Sequence, residues 1–146
     1  MKLHKLLAIG ACAAVALTFN PQPLLADEKG HKDGKEHAEK GKTAVPATAE
    51  AIMAEIHKHH GELADVVKSK KLADVHHHAF AIRDLANGLP AKVAADKKAR
   101  VEGSVKNIAK LATDLDNTGD ANNQAATEAN LKKLDGVLKA LESQVK

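Results

Sequence analysis

After Pro46 the apolar residues recur at three- and four-residue steps, the spacing that keeps side chains on one face of an α-helix. Ile52, Ile56, Leu63, Val66 and Val67 form a first stripe that runs to about Lys70, with Pro46 suited to the opening turn. Beyond "KSKKLAD", Val75, Ala79, Ile82, Ala86 and Leu89 form a second, and Asn87, Gly88 and Pro90 of "NGLP" supply its stop. The third stripe, Ala94, Val101, Val105, Ile108, Ala112 and Leu115, is the most regular. It leads to "DNTGD", where Gly119 suits a helix end and Asp120 can cap the next start. Leu131, Leu134, Val137, Leu138, Leu141 and Val145 make the fourth. Strand alternation has almost no support. Four amphipathic helices with short connections predict an all-α protein, an up-down-up-down antiparallel four-helix bundle over residues 46–146. A pair of helical hairpins that completes its core as a homodimer is the alternative.

The residues before Pro46 follow a different pattern. Lys2, His4 and Lys5 precede the apolar run "LLAIGACAAVALTF", and "PQPLLA" ends in a small residue, so residues 1–26 read as a signal peptide cleaved after Ala26. Asn20, Pro21 and Gln22 break the run short of the roughly 20 apolar residues that a membrane span needs, so stable membrane insertion is not expected. The expected location is periplasmic or secreted. Cys12 after "IGA" loosely resembles a lipoprotein box, a secondary reading. Residues 27–45, "DEKGHKDGKEHAEKGKTAV", alternate charge with glycine and offer almost nothing to bury; they read as a disordered leader carrying His31 and His37.

Composition then removes whole classes of function. The chain has one cysteine, Cys12, inside the expected signal, so the exported protein has no disulfide, no thiolate ligand and no C-x-x-C-H haem attachment. Of its 22 Lys and Arg, Lys2 and Lys5 leave with the signal, and the remaining twenty face 19 Asp and Glu. That near-neutral balance, with Phe80 the one aromatic after the signal, gives no support for nucleic-acid binding. The architecture expected is like that of cytochrome b562, yet no histidine follows His78, so an axial ligand on the last helix is missing and haem is not expected. No nucleophile–base pair or paired-carboxylate pattern emerges, and the protein is not expected to be an enzyme.

Six of the nine histidines fall in the first two helices: His57, His59, His60, His76, His77 and His78. At 100° per residue His59 lies within the first apolar stripe, His60 at its edge and His57 further round; His78 faces inward, His76 lies at the opposite edge and His77 points away. Neutral imidazole is a ligand for Cu, Zn and Ni, and pairs at i, i+3 or i, i+4 put two nitrogens on one face. Candidate metal ligands are therefore His57, His59, His60, His76 and His78. They divide into an inward set of His59, Glu62 and His78 and an outer set of His57, His60 and His76 with Met53. If the helices turn near residue 71, His60 stands about 17 Å and His78 about 10 Å from the turn, while Glu62 is closer to His78 in height.

The stretches "VHHHAFAIRDL", "GLPAK", "ARVEGSVKNIAKLATDLDNTGD" and "AATEANLKKLDGVLKAL" resemble a family of small exported bacterial four-helix-bundle proteins associated with heavy-metal and copper efflux genes. The histidine at the position of His76 and the "AFAIRD" that follows carry the match, whereas His77 and His78 are particular to this chain. The resemblance thus weights the outer set over the inward one. It implies a periplasmic metal-binding protein that buffers or transfers a transition-metal ion, with an envelope metal-efflux component as partner; copper is expected first, on the general affinity order for nitrogen sites and because Met53 could add a soft ligand for Cu(I), with zinc or nickel as the alternatives. The alternative expectation is a structural or partner-binding helical module of the envelope with no specific metal site.

Overall fold

A computed structural model describes residues 43–146, and the expected signal peptide and residues 27–42 of the expected leader lie outside the described residues. The described chain is all-helical: α1 Ala49–Lys68, α2 Val75–Asn87, α3 Ala95–Asp120 and α4 Gln124–Val145, with single 3-10 turns at Leu72–Asp74 and Leu89–Ala91. Among the described residues no helix is long and apolar enough to cross a membrane.

Side-chain caps set the starts of α1 and α4. The Thr48 hydroxyl accepts from the Ala51 N–H at 3.2 Å, so α1 begins at Ala49 and Pro46 lies ahead of the helix, outside its first turn. At the other end the Ser69 N–H donates to the Asp65 carbonyl at 2.9 Å, and Lys70, at φ 58°, turns the chain in the left-handed region. The Asn123 side chain accepts from the Ala126 N–H at 3.1 Å and starts α4. Asp120, expected in that role, is the last residue of α3.

Helix α3 ends within "DNTGD", as expected, with Asp120 its last residue and Gly119, one residue before, buried. A Cβ built there would stand 2.8 Å from the Leu72 carbonyl oxygen and 3.3 Å from Val75 Cβ. Glycine at this position lets α3 approach the start of α2 closely; the actual reversal comes three residues later, at Asn122 with φ 50°. Ala94, counted in the third stripe, is instead the exposed residue just before α3.

One continuous core joins the four helices, led by Ile52, Ile56, Leu63, Ile82, Leu85, Ile108, Leu115, Leu134, Leu138 and Leu141, all essentially inaccessible to solvent. Burying each such side chain contributes about 1.5–3 kcal/mol relative to leaving it exposed. Val66, Leu131, Val137 and Val145 close the edges and are only partly buried. Each helix packs on its neighbours in the chain, and α1 also meets α4 along the sparsest of the four seams. The histidine-bearing helices α1 and α2 are therefore direct packing partners.

Candidate metal centre

Three donor atoms converge on the seam between α1 and α2. His59 Nδ1 lies 3.4 Å from His78 Nδ1. Glu62 Oε2 lies 3.3 Å from His59 Nδ1 and 3.2 Å from His78 Nδ1. The three distances are nearly equal, so the donors form an almost equilateral triangle. His59, Glu62 and His78 are the one set of three or more His, Cys, Asp or Glu donors this close together among the described residues.

Local structure explains the convergence. His59 and Glu62 are three residues apart on α1 and so share a face. Counted from the end of α1, Glu62 stands about 9 Å up the helix at 1.5 Å per residue. The 3-10 turn at Leu72–Asp74, rising about 2 Å per residue, and one turn of α2 bring His78 to a similar height. Leu63, next to Glu62 on α1, and Val75, Ala79 and Ile82, beside or one turn from His78 on α2, are fully buried. The partly exposed triad therefore lies at the edge of the core. Its side chains are 21% exposed for His59, 23% for His78 and 42% for Glu62.

This position sets the electrostatics. Burial pushes the His78 imidazole below the ordinary histidine range, opposed by the Glu62 carboxylate and assisted by the neighbouring His59. The shift favours the neutral imidazole, whose ring nitrogen can offer a lone pair.

The other candidate histidines go elsewhere. His57 is exposed and faces α4, its Nε2 3.7 Å from Glu142 Oε2. With Met53, Ala54, Glu50, Val145 and Lys146 these two line an open cleft of about 290 Å³ at the α1–α4 seam. His60 is also turned toward α4; its Nε2 is buried without a hydrogen-bond partner among the described residues. Burial lowers its pKa, with Asp135 opposing and His57 and Lys139 assisting. The His76 and His77 rings meet at the start of α2, centres 3.9 Å apart and planes tilted by 41°. Met53 is a core residue. The structure brings His59 and His78 together with Glu62; it does not assemble His57, His60 and His76 into a comparable group.

The carboxylate is the member of the triad hardest to single out from sequence, because α1 also carries Glu50, Glu55 and Asp65. Its signals are the i, i+3 step from His59 and a height along the hairpin close to that of His78. No protein-family model, curated protein or solved structure matches this chain.

Proposed function

We propose that this protein is an exported four-helix bundle, up-down-up-down in arrangement, that binds one divalent transition-metal ion through His59 Nδ1, Glu62 and His78 Nδ1 and serves to buffer or hand over that ion. The observation that carries the proposal is the triangle of donors with edges of 3.2, 3.3 and 3.4 Å. A tetrahedral ion bound at about 2.0–2.1 Å requires its ligands roughly 3.3 Å apart, so the three atoms match one face of that tetrahedron. Square-planar copper(II) or nickel(II) needs adjacent donors nearer ~2.8 Å and an opposite pair near ~4 Å. The equal edges thus favour zinc, while copper retains the advantage of the general affinity order and can be reached by small side-chain rotations. Two imidazoles and a carboxylate are a borderline donor set suited to either divalent ion.

A second reading has its own observation. The hydrogen bond between the two Nδ1 atoms and the Glu62 carboxylate beside both form a clasp between α1 and α2 that works with a proton in place of a metal. In that case the protein is a structural or partner-binding module. Calorimetric titration with zinc and with copper(II) separates the two. The metal reading expects one site per chain, lost in H59A/H78A and retained in H57A/H60A/H76A. Absence of binding, or loss in the second variant only, contradicts it.

A further inference from the structure

We infer that the fourth coordination position of this site, on the proposed metal reading, belongs to one donor from outside residues 43–146, the side-chain imidazole or thiolate of an acceptor protein, and that the ion enters and leaves through it. The direction of that position follows from packing. Three donors occupy one face of a tetrahedron, while Leu63, next to Glu62 on α1, and Val75, Ala79 and Ile82, beside or one turn from His78 on α2, are fully buried, so the inner side of both helices is filled by apolar side chains. The remaining vertex points outward, where Glu62 is the most exposed member of the group. Among the described residues the donor group holds three members. Structural zinc sites are closed by four protein ligands, whereas three protein ligands and an open position mark sites whose fourth ligand exchanges.

Charge points the same way. Two neutral imidazoles and one carboxylate leave a net charge of about +1 on a bound divalent ion, which attracts a further electron-pair donor. A donor arriving on the open side adds a fourth bond before any protein bond breaks. Departure of Glu62, the exposed ligand, then leaves the ion with two imidazoles and the newcomer. That sequence is a ligand exchange with no redox step, and it suits hand-over better than permanent storage.

The experiment uses cobalt(II), whose visible bands report coordination number, on the purified protein in a non-coordinating buffer, titrated with imidazole. The expected result is a saturable band shift at one imidazole per cobalt, together with a cobalt transfer rate to an external chelator that rises with imidazole concentration. A four-coordinate cobalt spectrum that imidazole leaves unchanged means that another protein donor closes the site, and it overturns the inference while leaving metal binding intact. Uptake of two or more imidazoles per cobalt overturns it as well. Failure of cobalt, zinc and copper(II) all to bind removes the metal reading and this inference with it.

Discussion

His59 on α1 and His78 on α2, nineteen residues apart in the chain, hold their Nδ1 atoms 3.4 Å apart at the edge of the core, with Glu62 Oε2 within 3.3 Å of both. Holding one ion there ties α1 to α2. Because a folded-state ligand stabilises by RT ln(1 + [L]/Kd), metal at one hundred times Kd adds about 2.7 kcal/mol. For a domain of this size that raises Tm by about 10–20 °C. Thermal melts with and without zinc or copper(II) check this, and the rise is expected to vanish in H59A/H78A.

Metal-free protein is expected to lose stability on mild acidification. His60 and His78 both have folded-state pKa values lowered chiefly by burial. As pH falls, the unfolded chain therefore takes up protons first, near the ordinary histidine value of about 6.5. The contribution is whole above that value and is lost as pH drops through it toward the lower folded-state values. Asp135 and Glu142, lowered by hydrogen bonds from Lys139 and Lys146, act in a separate window at or below the ordinary carboxylate range. Melts in chelator from pH 7.5 to 5.5 are expected to show a falling Tm, with a shallower fall in H60Q. A Tm independent of pH across that range contradicts the assignment.

Two glycine substitutions should act in opposite directions. Gly119→Ala places a methyl 2.8 Å from the Leu72 carbonyl oxygen, a backbone atom that cannot swing aside. Overpacking of this kind costs about 1–3 kcal/mol. Gly103→Ala, in the same helix, meets nothing within 4 Å and should gain about 0.5–1 kcal/mol from the better helix former. Urea denaturation of the two variants measures both. Equal effects would mean that Gly119 is not in close contact with the start of α2.

Much of the helical framework is legible in the sequence, because Ile52, Ile56 and Leu63, or Val75, Ala79 and Ile82, repeat at a period that only a helix satisfies. Gly119 marks the end of α3 within one residue, but nothing local reveals that the Leu72 backbone packs against it. The candidate site is legible in part. Helical phase separates His59 and His78 from His57, His60 and His76. Which set meets depends on the stagger of α1 against α2, set by the 3-10 turn at Leu72–Asp74, and on α4, which draws His57 and His60 away toward Glu142 and Asp135. These are tertiary effects that periodicity along one helix does not encode.

Nitrogen-15 NMR of the imidazole rings during zinc titration addresses the central claim most directly, since it reports which histidine and which ring nitrogen receives the ion. The expected result is that Nδ1 of His59 and of His78 shift together and saturate at one zinc per chain, Nε2 of both rings stays protonated, and His57, His60, His76 and His77 keep their metal-free resonances. Shifts confined to His57, His60 and His76, or no shift at any ring, would contradict the assignment of His59, Glu62 and His78 as the metal centre.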